Sequence, residues 1–323
     1  MKREIGWDQI ERDPSTVLTV GTFDGVHRGH QAILSFLIER AQAMDGIPTV
    51  LTFDPHPREV VRNQEVPLLT TVDERARALE SFGVGRMVVL PFTHDLAQYD
   101  PRAYVQEILW ETIGLQAIAV GYDHRFGRNR TGNVTLLREM GAQRGFAVEQ
   151  IPPQSDDNEV ISSTRIRTLL AEEGAVKQAA RLLGRPYSLS GTVVRGEQRG
   201  RTIGFPTANI ALNDSRSCLP QKGVYATRVY GPPLETAHVG MCNIGVRPTF
   251  GGTTPTIEVH LLNYDGSLYD KSLCVEFVQR LRDEQKFDSV EALQAQLSED
   301  RAHCIRVMEG ANASSLIAND GCA

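Results

Sequence analysis

The first half of the chain alternates short apolar runs with segments of helical periodicity. Apolar runs at residues 17–20, 48–53 and 117–121 predict β-strands. Between them, apolar residues recur at helical spacing, for example over residues 33–44 and 71–83. Strands separated by helices of this length need crossover connections. We therefore predict an α/β domain with a parallel, Rossmann-like sheet that is covered on both faces.

The pattern changes near Gly184. From residue 191 to residue 281, β-rich runs follow one another without an intervening helix, and loops rich in Gly, Pro, Asn and Asp separate them. This spacing predicts a small antiparallel β-barrel followed by one C-terminal helix. The segment 185–191 is interpreted as the junction. We predict an N-terminal domain, a C-terminal domain and a flexible tail, at residues 1–184, 185–310 and 311–323.

Composition and charge narrow the class of protein. With 323 residues, 41% of them hydrophobic and 23% charged, the chain is long enough for two globular cores. The net charge of −6 argues against a general nucleic-acid binder. No apolar run is long enough for a membrane span or a secretion signal, so we expect a cytoplasmic protein. The five scattered cysteines form no CxxC pair, which predicts reduced thiols.

The stretch GTFDGVHRGH, residues 21–30, follows the first predicted strand and leads into the first helix. Ligands of open α/β sheets bind at such points, and the helix N-terminus favours anions. His27 and His30, protonated or as N–H donors, could hold phosphates. Taken alone, the stretch favours a turn whose histidines satisfy local backbone groups. A metal pair is weaker, because no third ligand stands nearby.

A second polar stretch, ISSTRIR, comprises residues 161–167 and precedes another helical pattern. Ser163 and Thr164 are typical of a helix N-terminus, and Arg165 and Arg167 could reach a phosphate. Alone, this stretch predicts an N-cap with a solvated basic face.

The second half lacks the GxxxxGK[ST] pattern, so any phosphoryl transfer there must use another phosphate-binding loop. The glycines of residues 191–210 suit close approach of phosphates and also suit barrel bends. Thr207 and Asn209 point to the same side of an extended segment, as two neutral oxygen donors for a cation that carries ATP phosphates. As generic residues after a proline they would be turn formers.

Glu258 stands in the alternating run TIEVHLL, in which Ile257, Val259 and Leu261 share one face. Glu258 and His260 therefore share the other face. Alternation alone favours a solvated carboxylate at Glu258. Kinase chemistry, however, needs a carboxylate that orients and deprotonates the attacking hydroxyl.

The first half resembles the nucleotidyltransferase superfamily with the (H/T)xGH signature. It is similar in particular to the FMN adenylyltransferase module of bacterial bifunctional riboflavin kinase/FAD synthetases, through residues 21–30, 52–57, 121–133 and 161–170. The resemblance implies ATP contacts at Gly21, Phe23, Asp24, His27, Gly29, His30, Ser163, Thr164 and Arg167. Of these, it assigns catalytic roles to His27, His30 and Arg167.

The same resemblance implies flavin contacts at Asp123, His124 and Phe126. Relatives usually carry Asp-Phe or Asn-Phe where this chain has Asp123-His124. Imidazole is smaller than a phenyl ring and can ionise, so the departure bears on the flavin side of the site.

The second half resembles riboflavin kinase domains through GRTIGFPTANI, KGVYATRV, NIGVRPTF, TIEVHLLNYDGSLYD and LRDEQKFDSVEAL. The resemblance implies a catalytic base at Glu258 and metal contacts at Thr207 and Asn209. It implies ATP contacts at Gly200, Arg201, Gly204, Pro206, Thr207 and Asn209. It implies flavin contacts at Arg282, Glu284 and Phe287.

The two resemblances together imply a bifunctional enzyme that converts riboflavin to FMN and FMN to FAD with ATP. Mg²⁺ would accompany ATP, and no tightly bound prosthetic group, nucleic-acid partner or membrane partner is expected. We expect a monomer or a weak oligomer. One alternative is an enzyme in which only the kinase works, as the change at His124 suggests. Another is a non-catalytic flavin-binding regulator, which would have no use for a positioned base such as Glu258.

Overall fold

The structure, a computed structural model, describes residues 1–122, 124–151, 155–156, 159–196, 199–249 and 252–314. The chain divides into two compact units, Met1–Ser163 and Thr164–Ala323. The domain boundary predicted at residue 184 lies further along the chain than this division and stays a prediction. No helix of the described residues is both long and apolar enough to cross a membrane.

The first unit contains a six-stranded sheet with strand order β1-β4-β3-β2-β5-β6, in which every neighbouring pair is parallel. The strands are β1 (Lys2–Ile5), β2 (Thr16–Val20), β3 (Ile47–Phe53), β4 (Arg86–Leu90), β5 (Ala117–Gly121) and β6 (Ala147–Ile151). A two-stranded hairpin consists of β7 (Ser155–Asp156) and β8 (Glu159–Val160).

The helices of the first unit connect these strands. They are α1 (Arg28–Ala43), α2 (Pro57–Arg62), α3 (Val72–Ser81), α4 (His94–Ala97), α5 (Pro101–Ala103) and α6 (Val134–Arg144). The chain continues from α5 as a wide π-type helix over Tyr104–Ile113, and short 3-10 turns lie at Trp7–Gln9 and Arg128–Arg130. Separate clusters of buried apolar residues pack against the sheet. The prediction of a parallel α/β sheet is therefore confirmed.

The middle of this sheet contains its switch point. β2 pairs with β3 on one side and with β5 on the other. The chain thus adds strands first in one direction and then in the opposite direction. In open α/β sheets the crevice beyond such a strand is where ligands bind. The loop that follows β2 begins at Gly21, in the predicted ATP-binding stretch.

The first strand was not among the sequence predictions. Its sequence, KREI, is rich in charge, which is unusual for a strand. The structure explains it by an ion pair, because Arg86 of β4 donates from Nε and Nη2 to Glu4 Oε2 at 2.9 and 2.6 Å. Both residues are buried. A buried partner across the sheet therefore stabilises a strand that its own residues do not predict.

The second unit contains a closed barrel of six antiparallel strands in the order β10-β13-β12-β11-β14-β9. The strands are β9 (Tyr187–Val194), β10 (Ala208–Leu212), β11 (Gly223–Tyr230), β12 (His238–Thr249), β13 (Gly252–Leu261) and β14 (Ser272–Arg282). The helices are α7 (Ser163–Ala171), α8 (Val176–Leu183), α9 (Arg199–Thr202) and α10 (Val290–Ser314). The predicted barrel with a C-terminal helix is confirmed.

Three details differ from the sequence interpretation of this half. The supposed junction at 185–191 is largely barrel strand, because β9 begins at Tyr187. The helical pattern predicted after ISSTRIR is interrupted at Gly174, whose φ of 62° is left-handed. The last helix continues to Ser314, inside the segment predicted as a tail, and residues 315–323 lie outside the described residues.

The cysteines are only partly in the reduced state that the sequence predicts. Cys218, Cys242 and Cys304 are buried free thiols. Burial raises the pKa of Cys242 far above its usual range and that of Cys304 to about 11, so both thiols behave as small apolar groups. Cys274, in contrast, is disulfide-bonded. The expectation of reduced thiols is wrong for Cys274, because sequence spacing does not reveal which cysteines approach in space.

Candidate active sites

The loop between β2 and α1 has a strained backbone. Phe23, Gly25 and Val26 adopt left-handed conformations with φ of 47°, 83° and 41°. Such angles are costly for residues with a side chain, most of all for a β-branched one such as Val26. A loop of this kind persists only where its surroundings fix it.

Asp24 provides much of that fixation. Its carboxylate is fully buried and accepts hydrogen bonds from the backbone N–H groups of Leu69 and Thr70 at 3.0 and 2.9 Å. The Thr70 hydroxyl adds a further bond at 3.2 Å. Ser163 Oγ donates to the carbonyl of Asp24 at 2.9 Å. Asp24 and Ser163, both predicted as ATP contacts, therefore anchor the loop through these groups.

The two histidines of the loop lie together. His27 is the N-cap of α1, and its Nδ1 accepts the backbone N–H of His30 at 3.3 Å. The two rings stack with centroids 3.7 Å apart. Gly29 permits this arrangement, because a Cβ there would lie 3.2 Å from the ring of His27. Since Nδ1 of His27 is an acceptor, the proton of the neutral ring is on Nε2.

The ring of His30 packs at 4.8 Å from that of Phe23, and the residue is only partly exposed. Its Nδ1 is fully buried and has no hydrogen-bond partner within the part of the chain that the structure describes. Burial, and then the nearby His27 and Arg75, hold the pKa of His30 well below its usual range. His30 is therefore a neutral imidazole near pH 7.

Arg75 is a residue that the sequence did not single out. It lies on α3, is 3% exposed and donates from Nη1 to Thr52 Oγ1 at 3.0 Å. An arginine in an amphipathic helix is expected on the solvated face, so no sequence signal marks it. The structure places its positive charge within electrostatic reach of His30.

The lowered pKa of His30 predicts how stability depends on pH. In the unfolded chain this group takes up a proton as pH falls through about 6.5, whereas in the folded chain it does so only at lower pH. Acidification from pH 7.5 to 5.5 therefore favours the unfolded state. Between pH 7.5 and pH 5.5, the Tm of the first unit should fall in both proteins. We expect the fall to be about 2–4 °C smaller in His30→Gln than in the unsubstituted protein. Calorimetry at both pH values measures this, and equal shifts would contradict it.

On the predicted flavin side, Asp123 lies outside the described residues. The ring of His124 is 5.7 Å from that of Phe126. Phe126 itself is 8% exposed and belongs to the hydrophobic core beside Tyr104, so it packs inside the unit. Tyr122, which the sequence analysis did not select, is 51% exposed directly after β5.

Thr164 and Arg167 lie on α7, one and four residues beyond Ser163. Both belong to the second unit in the division of the chain. Their predicted ATP contacts, and the catalytic role of Arg167, stay predictions.

In the barrel, a row of polar side chains crosses three strands. Glu258 of β13 is directly opposite Asn209 of β10 and opposite Asn243 of β12. Cross-strand partners of this kind share one face of a sheet. The neighbours Ile257 and Val259 are buried, while Glu258 is partly exposed, which confirms the predicted division of the strand into two faces. The sequence does not predict that Asn243 belongs to this row, because only the strand register places it opposite Glu258.

The glycine-rich loop precedes this row. Phe205 N donates to Gly200 O at 2.8 Å, and Gly204 N to Arg201 O at 3.4 Å, so the loop after α9 is compact. Arg201, Gly204 and Pro206 are exposed.

The side chain of Asn209 rests against Gly196 of the same loop. A Cβ on Gly196 would lie 2.3 Å from Asn209 Nδ2, so a larger residue there would displace the Asn209 amide. Thr207 is partly exposed just before β10, and a Cβ on Gly200 would lie 3.6 Å from its hydroxyl oxygen. The hydroxyl of Thr207 and the amide of Asn209 are thus brought beside the loop glycines.

The predicted flavin contacts of the barrel differ in their surroundings. Arg282 donates from Nε and Nη2 to the buried carboxylate of Asp300 at 2.9 and 2.7 Å. Its guanidinium carbon lies 5.8 Å from the ring centroid of Phe287. Arg282 therefore joins the end of β14 to α10. Glu284 is exposed, and its Oε1 would be 2.4 Å from a Cβ on Gly245.

No cluster of three or more His, Cys, Asp or Glu side chains among the described residues is arranged to hold a metal ion. The oxygen donors beside the glycine-rich loop are a hydroxyl and an amide, together with the carboxylate of Glu258. Such a set suits a hard cation that brings its remaining ligands with it.

Sequence models of two protein families match the chain. The FAD synthetase family matches residues 9–165, and the riboflavin kinase family matches residues 183–308. A bifunctional riboflavin kinase/FMN adenylyltransferase from Pseudomonas fluorescens is 40% identical over 289 residues, which are 88% of this chain and 91% of that protein. A protein of the same description from Escherichia coli K12 is 38% identical over 88% of this chain and 90% of its own length.

Among solved structures, one described as a macrolide-efflux protein from Streptococcus pneumoniae is similar, with a TM-score of 0.83 and 30% sequence identity. The match covers 94% of this chain and 98% of that chain. The efflux activity in that description is a statement about the streptococcal protein and is not carried over here.

The chain is thus an enzyme with two transferase domains, a nucleotidyltransferase followed by a kinase. It belongs to the family of bifunctional riboflavin kinase/FMN adenylyltransferases.

Proposed function

We propose that the barrel phosphorylates riboflavin with ATP to give FMN, and that the α/β unit transfers AMP from a second ATP to FMN. The products of the second step are FAD and pyrophosphate. The observation that carries this proposal is the occurrence, in one chain, of both family matches in this order. The stacked histidines and the polar row of the barrel support it as two chemically distinct sites.

In the kinase step, Glu258 takes the proton of the ribityl 5′-hydroxyl as that oxygen attacks the γ-phosphorus of ATP. A bond forms between this oxygen and phosphorus, and the bond to the β–γ bridging oxygen breaks to release ADP. Asn209 and Asn243 flank Glu258 across the strands, which favours a fixed position of its carboxylate. Gly200, Arg201, Gly204 and Pro206 form the proposed phosphate-binding loop, and Arg282, Glu284 and Phe287 the proposed flavin side.

In the adenylyl transfer, a phosphate oxygen of FMN attacks the α-phosphorus of ATP, and the bond to the α–β bridging oxygen breaks. No enzyme nucleophile takes part. His27, His30 and Arg167 stabilise the charge that develops. Nδ1 of His30 is buried and has no hydrogen-bond partner among the described residues, which supports this role, because a phosphate oxygen would supply one. Asp123, His124 and Phe126 are the proposed flavin side of this site, and the exposed Tyr122 is added to them.

ATP-using enzymes of this family generally need a divalent metal ion, and we propose Mg²⁺ held by Thr207 and Asn209 in the barrel. Their oxygens fit an ion that keeps several waters and takes further ligands from ATP phosphates. When bound, the ion neutralises charge on the phosphates. We expect no tightly bound prosthetic group and no nucleic-acid partner. A cytoplasmic location, and a monomer or weak oligomer, also stay predictions.

One assay separates this function from its alternatives. The protein is incubated with riboflavin, ATP and Mg²⁺, and the flavins are resolved by chromatography. We expect both FMN and FAD, and no turnover when EDTA replaces free Mg²⁺. FMN alone would favour a kinase with an inactive first unit, as the substitution at His124 suggests. Unchanged riboflavin would favour a flavin-binding regulator.

A further inference from the structure

The loop that carries the histidine pair is held by a threonine outside the motif. Thr70 precedes α3, is 6% exposed and uses its hydroxyl twice. Its Oγ1 accepts the backbone N–H of Gly25 at 3.0 Å and donates to Asp24 Oδ1 at 3.2 Å. Its backbone N–H adds the bond to Asp24 at 2.9 Å. Thr70 therefore contacts both residues at the centre of the left-handed segment.

The turn that carries Thr70 is itself well supported. Arg75 donates from Nη2 to the Thr70 carbonyl at 3.4 Å and from Nη1 to Thr52 Oγ1. Thr52 Oγ1 in turn donates to the carbonyl of Thr22 at 3.0 Å. Buried side chains thus form hydrogen bonds with the loop at Thr22, Asp24 and Gly25, shortly before His27.

We propose that Thr70 is a positioning residue for adenylyl transfer, which sets the places of His27 and His30 through Asp24 and Gly25. This inference rests on the proposed function of the first unit. The loop backbone is strained, so its conformation depends on the groups that hold it. A displacement of catalytic groups by about 1 Å can cost about 10²-fold in rate. Loss of the hydroxyl therefore affects turnover as well as stability.

Three substitutions test this role. Thr70→Val keeps the shape and the backbone bond but removes both hydroxyl bonds, whereas Thr70→Ser keeps the hydroxyl. Thr49→Val is the matched control, because Thr49 is also buried and its hydroxyl, within the described part of the chain, bonds only the carbonyl of Ile47, at 3.0 Å. All are assayed well below their Tm for FAD formation from FMN and for FMN formation from riboflavin.

We expect Thr70→Val to lower kcat for FAD formation by about 10–100-fold. Thr70→Ser should stay within about threefold of the unsubstituted protein, and Thr49→Val should lose Tm but keep kcat. FMN formation should be unchanged in all three. If Thr70→Val kept full kcat with a reduced Tm, or if Thr70→Ser were as slow as Thr70→Val, the proposal would be wrong.

Two further outcomes are distinguishable from these. If the unsubstituted protein formed no FAD, the proposed function itself would fail and not only the role of Thr70. If Thr70→Val did not fold, Thr70→Ala, which places no extra methyl group against Asp24, would be judged by the same criteria.

Discussion

Glu258→Gln should suppress FMN formation by about 10²–10⁴-fold, the range usual for removal of a general base. Glutamine keeps the size of the side chain and its place opposite Asn209 and Asn243 on the neighbouring strands. It cannot accept the proton of the ribityl hydroxyl. The measurement is initial FMN formation from riboflavin under saturating ATP.

The same chain supplies the control for this substitution. FMN added to Glu258→Gln should still be converted to FAD at the unsubstituted rate, because that reaction is proposed for the first unit. Loss of both activities in a folded variant would argue against separate sites. A reduction of FMN formation by less than about tenfold would mean that Glu258 is not the base.

His30→Ala should have the opposite effect and reduce FAD formation by about 10²–10³-fold, as expected for a group that stabilises transition-state charge. FMN would then accumulate from riboflavin. The substitution leaves the backbone N–H of residue 30 in place, so His27 Nδ1 keeps the hydrogen bond that caps α1. The expected reduction in FAD formation therefore comes from removal of the imidazole and not from loss of the helix cap.

A matched variant for this experiment is His94→Ala, because His94 is an exposed imidazole of the same unit at the start of α4. It should form FAD normally. If His30→Ala also formed FAD at a normal rate, the histidine pair would not be the catalytic centre. If it lost FMN formation as well, the assignment of the two reactions to separate units would be wrong.

Sequence patterns predicted the parts of the fold that depend on local periodicity. Strand and helix alternation identified the parallel sheet, because apolar spacing is a property of each segment by itself. β1 does not follow from periodicity, because its charged residues are stabilised by a partner on another strand, and β10 is predicted only as an extended segment around Thr207 and Asn209. Glu4 in β1 needs Arg86, and β10 is paired on both sides within the barrel.

The candidate sites show the same distinction. His27 and His30 are three residues apart at a helix start, so their proximity follows from the sequence. Asn243 and Arg75 reach the sites through strand register and buried packing, which no spacing reveals. A resemblance also does not tell which way a side chain points. Phe126 and Arg282 carry the motifs, yet one packs in the core and the other pairs with Asp300.

The charged first strand has a consequence for how the chain avoids self-association. In the part of the chain that the structure describes, the barrel closes on itself and offers no free strand edge, whereas the parallel sheet ends at β1 and β6. β1 is only four residues long, exposes Lys2 and Arg3, and turns the charge of Glu4 inward. Short length, outward lysine and inward charge all discourage a second sheet from adding to an edge. Without β1, the fully buried β4, which is apolar apart from Arg86, would become that edge, so these four residues protect the sheet from edge-to-edge aggregation.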